Sequence, residues 1–448
     1  MKSAIKIFFV LIFFSFIQSC SDLSDLDDPG KKDDPISLSS FTSLQDLANK
    51  SILTGTVQLY SSMGTKSGLI TVGDASGCVV MNNGRLKCWG QNDKSQLGDG
   101  TTTDRSSPVW ATSVNPANSS DIIVAVVSGR TSTCAYYYTG LKCWGNQTSG
   151  VLGNGQTVGS ATTPQTVTNV SGRTIKFIQL NDGFSCILDT SGVVSCWGDN
   201  SKAQLGNGNQ TSSPSAAVNA SINGVASQLI AQNNDSCALV GSVVKCWGQS
   251  FSNSSPFTPV TINFGGNTPS QLGGGTTFNP NLTCVVMANS TVQCFGATTN
   301  SFGELGNGTN TAPANVTTGY TVINATTNQA LSGVMMVATG DSGTGLSFNY
   351  GCAVADDFTN VYCWGNNSLG NLGNGSTTNS NKAVKVTKTW PSSNIIDLAV
   401  SDGRACILLK NNDVWCWGGN SYSKGELGNG SLTGNTSTAI KILNRNDP

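Results

Sequence analysis

Apolar residues fall along most of this protein in short β-type runs separated by glycine, asparagine and serine. Pairs of runs flank turn residues such as Asn82-Asn83-Gly84 and Gly241-Ser242, a pattern that predicts antiparallel hairpins. The two arms of each hairpin carry one cysteine apiece: Cys78 with Cys88, Cys134 with Cys143, Cys186 with Cys196, Cys237 with Cys246, Cys284 with Cys294, Cys352 with Cys363, and Cys406 with Cys416. Spacings of 9, 10 and 11 put the two cysteines opposite each other when the loop holds about two, three or four residues, so the turn absorbs the length variation. The second cysteine is followed by Trp-Gly in six copies and by Phe295-Gly296 in the fifth. Adjacent cysteine and tryptophan point to opposite sides of their strand, so both sheet faces must be buried, as when a sheet is sandwiched between two neighbours.

The first cysteines follow one another at 56, 52, 51, 47, 68 and 54 residues, a period that indicates a repeat array. A leucine-glycine turn follows seven to nine residues after the aromatic-glycine pair, at Leu97-Gly98, Leu152-Gly153, Leu205-Gly206, Leu305-Gly306, Leu372-Gly373 and Leu427-Gly428. The fourth repeat lacks it. One array whose core grows by stacking accommodates 448 residues without separate domains.

A different pattern opens the sequence. Lys2 and Lys6 precede an apolar run from Ile7 to Ile17, too short to span a bilayer and suited to a signal-peptide core. The run ends in Ile17-Gln18-Ser19-Cys20, which resembles a bacterial lipobox and makes Cys20 the expected lipidation site. An ordinary secreted protein with a spare cysteine is the alternative. The expected divisions are a signal peptide over 1–19, a lipidated cysteine and acidic tether over 20–35, an N-terminal segment over 36–67, and the repeat domain over 68–448. The tether contains Asp22, Asp25, Asp27, Asp28, Asp33 and Asp34 and almost no apolar residue. Ser21 after the anchor favours the outer membrane over the inner, so the expected location is the bacterial cell envelope with the lipid as the only membrane contact.

Composition narrows the chemistry. Loss of Lys2 and Lys6 leaves 22 of the 24 basic residues against 25 acidic ones, a net charge near −3 that removes the electrostatic footing for nucleic acid. Export makes cross-strand disulfides chemically plausible and the hairpin register allows them. Reduced cysteines serving as small core residues are the alternative. Zinc is a poorer third reading, because the sequence has no CxxC spacing and no histidine. The absence of histidine also excludes the common triads and imidazole bases, leaving only carboxylate chemistry.

The units CVVMNNGRLKCWGQNDKSQLGDG and CILDTSGVVSCWGDNSKAQLGNG resemble the regulator of chromosome condensation repeat. The resemblance runs over roughly Gly68 to Ile442 and implies an all-β, seven-bladed propeller. Members of that family include a nucleotide exchange factor for a small GTPase, ubiquitin ligases and a bacterial inhibitor of β-lactamases, with protein binding through one propeller face as the common theme. This protein has cysteine where the eukaryotic pattern often has histidine, and it carries an export signal, so chromatin-linked exchange does not transfer. The matched residues are structural and supply no catalytic role. In such rings a strand from the opposite terminus often completes the last sheet; Thr56 to Tyr60 is the expected donor, pairing near Cys406 to Ile442.

Recognition residues are sought among departures from the repeat. Tyr137 and Tyr138, next to Tyr136 at the second hairpin tip, and Trp110 and Trp390 outside the repeat's own tryptophan position are the candidate binding residues; core packing is the alternative for each. The 68-residue period places an insertion within Thr317 to Gly351, including the glycine-rich GDSGTGLSFNYG. Asp182, Asp235, Asp341 and Asp402 recur just ahead of first cysteines; turn capping explains them more cheaply than calcium or an acid pair. The expected function is therefore a non-catalytic, cofactor-free propeller that binds a protein partner as scaffold or inhibitor. A glycan-binding or adhesive propeller, and then a carboxylate enzyme, are the alternatives.

Overall fold

The computed structural model describes residues 68–448 apart from 116–120, 138, 182, 233, 252–256, 275–281, 297–298, 341–348, 392–393 and 421. Cys20, the tether, the segment Thr56 to Tyr60, Tyr138, Asp182 and Asp341 lie outside the described residues. The described part is all-β, with one three-residue 3-10 turn, Thr148–Gly150. Seven four-stranded antiparallel sheets form the blades, whose strands fall within 70–110, 123–166, 175–219, 226–261, 269–321, 334–385 and 395–444. First strands of successive blades abut around a central axis, and that of blade 7 abuts that of blade 1, so the ring is closed.

Register follows from the hairpins. In every blade the two cysteines face each other directly across the second and third strands. Each opposed pair is joined as a disulfide: Cys78 to Cys88, Cys134 to Cys143, Cys186 to Cys196, Cys237 to Cys246, Cys284 to Cys294, Cys352 to Cys363 and Cys406 to Cys416. Their Cα atoms are 4.0 or 4.1 Å apart. The loops take up the difference in spacing. Val240 pairs with Val243 across a two-residue tip, whereas Ala355 pairs with Asn360 across a four-residue tip.

The seams between blades are where the apolar faces meet. On one side of the third strand the disulfide packs against the next blade, and on the other side the tryptophan, or Phe295 in blade 5, packs against the preceding one; Trp89, for example, lies with Cys406 and Cys416. All six repeat tryptophans are fully buried. A buried indole N–H needs an acceptor. Each finds the carbonyl that immediately precedes the leucine-glycine turn of the preceding blade: Trp144 to Gln96 at 3.0 Å, Trp197 to Val151 at 3.2 Å, Trp247 to Gln204 at 2.9 Å, Trp364 to Glu304 at 3.0 Å, Trp417 to Asn371 at 3.0 Å and Trp89 to Glu426 at 2.9 Å. The turn needs glycine for two reasons, seen at Gly206. Its φ is +68°, and a Cβ there would lie 2.6 Å from the Trp247 indole nitrogen.

An asparagine supports the turn from within. Asn92 Oδ1 accepts the Leu97 N–H at 3.0 Å while its Nδ2 donates to Asp99 Oδ1 at 2.9 Å and the Thr101 carbonyl at 3.0 Å. Asn200, Asn300 and Asn367 cap Leu205, Leu305 and Leu372 in the same way, each at 2.9 Å. These asparagines are buried, and each amide nitrogen lies among loop oxygens.

Blade 7 draws its four strands from its own repeat, the last being the ten-residue Asn435–Asn444. Closure onto blade 1 relies on side chains reaching back across the sequence. The fully buried Arg404 donates to the carbonyls of Asp74 at 2.8 Å, Gly73 and Ser76. Asp397 accepts the Leu69 N–H at 3.2 Å, Arg445 donates to the Val80 carbonyl, and Lys424 pairs with Asp104 at 3.0 Å.

Candidate functional site

The propeller has two sides. One carries the hairpin tips and the connections between blades; the other carries the turns between first and second strands together with the leucine-glycine loops. The predicted recognition residues distribute unevenly over them.

Tyr137 does not present a ring to solvent. The second strand of blade 2, Ser132–Tyr137, continues to this residue, and the alternation of the strand turns it into the blade 1–2 seam, 4% exposed. Its hydroxyl donates to the Val114 carbonyl, and Lys142 Nζ stands 4.4 Å from the ring centre while pairing with Asp121 at 3.0 Å. Burial pushes the phenol well above its ordinary value, with the Asp121 charge adding to it. Tyr136 is buried in the same blade.

Trp110 and Trp390 are half-buried and stay on the hairpin side, on either flank of blade 7. Trp110 ends the fourth strand of blade 1 opposite Lys87, whose ammonium lies 4.6 Å from the ring centre; the Arg85 guanidinium lies 5.0 Å from it. Trp390, in the connection between blades 6 and 7, packs against Trp417 at 6.3 Å and edge-on against Trp415 at 6.0 Å. Lys388 stands 4.7 Å from the Trp415 ring centre. Trp415 was not singled out from sequence, although it occupies the lysine position of the repeat's Lys-Cys-Trp. The result is a half-buried band of three tryptophans and several cations across blades 6, 7 and 1. Cation–π contact with the protein's own lysines and arginine occupies the Trp110 and Trp415 rings, and Trp390 packs against Trp415 and Trp417.

The opposite side gathers buried carboxylates. Asp402 and Asp74 approach each other at the blade 7–1 seam beside Arg404, Arg130 and Glu426. Burial, and then the Asp74 charge, push Asp402 up to about 8. Asp235 is pushed up to about 6 by burial, although it accepts the Ser250 N–H at 2.9 Å and hydroxyl at 2.6 Å. Asp235 thus caps the third-to-fourth-strand loop of its own blade, in line with the turn-capping expectation. Among the described residues no group of three or more acidic or cysteine side chains has the geometry to hold a metal ion.

A cavity of about 110 Å³ lies on the axis, lined by first strands and including Thr71, Ser128, Gln179, Gln228 and Asp397. That volume accommodates a few waters and is below the roughly 300 Å³ at which small-molecule sites begin.

These features define a seven-bladed propeller whose blades are sealed at six of their seams by the repeat tryptophans. Residues 69–96, 83–136, 175–204 and 395–423 match the regulator of chromosome condensation (RCC1) repeat. Among curated proteins this one is similar to the ultraviolet-B receptor UVR8 of Arabidopsis thaliana, 33% identical over 143 residues, which cover 31% of each protein. It is also 30% identical to the protein RCC2 homolog of Danio rerio over 133 residues, 30% of this protein and 26% of that one. The match therefore spans about a third or less of these relatives' length. Among solved structures, Prp20p of Saccharomyces cerevisiae has a TM-score of 0.65 at 16% identity over 86% of this protein and 88% of that one, a likeness of fold.

Proposed function

We propose that this protein is an exported lipoprotein, anchored through Cys20 in the bacterial cell envelope at the outer membrane, whose propeller binds a protein partner without catalysis. The observation that carries the reading is the band of Trp110, Trp390 and Trp415 with Arg85, Lys87 and Lys388 on the hairpin side of blades 6, 7 and 1. Tryptophan and arginine are the residue types enriched at interface hot spots, and half-buried rings held by neighbouring cations lose little conformational entropy on association. Prp20p is described by its binding to Gsp1p and histones, so the same architecture serves protein recognition elsewhere. The three rings already contact neighbouring cations or aromatics, which disfavours the glycan reading, because sugars stack on uncovered aromatic faces.

Affinity capture with the mature, lipid-free protein tests the reading. A bound envelope protein whose retention is lost in the double variant Arg85→Ala with Trp110→Ala and in Trp415→Ala, yet kept in Lys202→Ala on the opposite side, supports it. Retention on glycan arrays with no captured protein, or capture unaffected by the three substitutions, overturns it.

A further inference from the structure

Seven Asn-Gly dipeptides occur in the sequence, at Asn83, Asn154, Asn207, Asn223, Asn307, Asn374 and Asn429. Asn-Gly is the dipeptide most prone to spontaneous loss of ammonia, because glycine leaves the following backbone nitrogen unhindered. By sequence alone the seven are nearly equivalent, and five of them occupy the same place in the repeat, directly after leucine-glycine.

The fold divides them. In blades 5, 6 and 7 the glycine N–H donates across the seam to the fourth strand of the next blade: Gly308 to the Asn381 carbonyl at 2.8 Å, Gly375 to Ser437 at 2.9 Å and Gly430 to Ser106 at 2.8 Å. Gly84 donates within its own hairpin to Met81 at 3.0 Å. Gly155, Gly208 and Gly224 have no such acceptor among the described residues. The reason lies in the neighbouring blades. Among the described residues the fourth strand of blade 4 runs only over Val260–Thr261, and none of them accepts the Gly208 N–H. In blade 3 the Pro214 carbonyl is placed over Gly150, where a Cβ would lie 2.1 Å from it, and not over Gly155.

Exposure does not account for the division, since Gly375 and Gly430 are as exposed as Gly155. Nor do the asparagine side chains: Asn154 Oδ1 accepts the Gln156 N–H at 3.1 Å, much as Asn374 Oδ1 accepts Ser376 at 3.2 Å and Asn429 Oδ1 accepts Ser431 at 3.1 Å.

We propose that Asn154, Asn207 and Asn223 are spontaneous deamidation sites of the folded protein, and that inter-blade hydrogen bonds on Gly308, Gly375 and Gly430, with the hairpin bond on Gly84, protect the other four. The glycine nitrogen gives up its proton to solvent base and attacks the asparagine Cγ. A new N–Cγ bond closes a five-membered imide as the Cγ–Nδ2 bond breaks and ammonia departs. Water then opens the imide at either carbonyl, giving aspartate or isoaspartate. An N–H engaged with a backbone acceptor is slow to lose its proton and is held away from Cγ. One hydrogen bond of ordinary strength slows the step by up to about tenfold.

The products matter at the seams. The leucine-glycine turn before Asn207 packs against Trp247, and that before Asn154 against Trp197, so an isoaspartate, with one more backbone carbon, lengthens the turn beneath a buried ring. An aspartate occurs naturally at the equivalent Asp99, where Arg105, paired with Gly90 across the sheet, bonds it at 2.7 Å; in blades 2 and 3 the residues in that register are Ala161 and Ser213, neither of them a cation. Ageing of the ring therefore begins at the seams between blades 2, 3 and 4.

The test is peptide mapping by mass spectrometry of the full folded protein during incubation in mildly alkaline buffer, beside the same protein reduced and denatured. The expected result is faster replacement of amide by acid at Asn154, Asn207 and Asn223 than at the other four, with the contrast lost on denaturation. Equal or faster conversion at Asn307, Asn374 and Asn429 in the folded protein overturns the proposal, and so does a contrast that survives denaturation, since neighbouring sequence would then cause it.

Discussion

The seam between blades 4 and 5 and the seam between blades 5 and 6 solve the same packing problem with different chemistry. Between blades 5 and 6, Trp364 is buried and donates its N–H to the Glu304 carbonyl ahead of Leu305-Gly306. Between blades 4 and 5 there is no leucine-glycine turn, and Phe295 stands where the others have tryptophan. It packs against Phe264 at 5.7 Å and Phe251 at 6.3 Å. Along the sequence these are two unrelated departures in two repeats. In the ring they are one substitution, because the donor of blade 5 would have faced the acceptor turn that blade 4 lacks. A buried indole N–H without an acceptor costs more than a phenyl ring that needs none.

The largest expected effect bears on the regular seam. Trp364→Ala removes a fully buried ring and should cost about 3–5 kcal/mol, read as a lowered denaturant midpoint. Trp364→Phe keeps most of the packing but orphans the Glu304 carbonyl, an expected loss of about 1–3 kcal/mol. The reciprocal Phe295→Trp should give no gain; a stabilised Phe295→Trp would break the comparison, because it would mean that an acceptor exists at the odd seam.

The closure seam differs from both in carrying charge. Asp402 has a folded value near 8, above the 3.8 of an ordinary aspartate, so the folded state holds its proton more tightly than the unfolded one. Its contribution to stability is complete below pH of about 4 and is lost as pH rises through about 8. Asp402→Asn is expected to raise stability at neutral pH by about 4 kcal/mol at most, with the gain shrinking as pH falls toward 4. Denaturation midpoints of both proteins across that window check the sign. The smallest expected effect concerns the rim: Lys87→Ala removes a cation from Trp110 and should cost about 0.5–1 kcal/mol, less at high salt if the Coulombic part dominates.

Much of the fold was legible because its signals are local. The 9-, 10- and 11-residue spacings imply opposed cysteines, and Cys88-Trp89 adjacency implies two buried sheet faces, whatever the rest of the sequence does. The candidate site was less legible. Tyr137 and Trp110 both look like aromatics near a strand end, yet strand alternation buries one in a seam, while the other lies half-buried beneath Arg85 and Lys87. Trp415 was hidden by a neighbouring repeat tryptophan. The loop asparagines went unnoticed although Asn92, Asn200, Asn300 and Asn367 stand five residues ahead of their leucines, a spacing that alignment of the repeats makes visible.

The sequence by itself determined the number of blades, the register of each hairpin and the pairing of the fourteen domain cysteines, because those depend on contacts within about a dozen residues, where connectivity leaves little choice. Only the tertiary structure decided what lies across each seam: which carbonyl receives a tryptophan, that Arg404 binds the first blade, which glycine N–H groups are sealed, and which tryptophans stay at the rim. Those partners are a repeat or a whole ring apart, and nothing in either segment alone records the other until the ring closes.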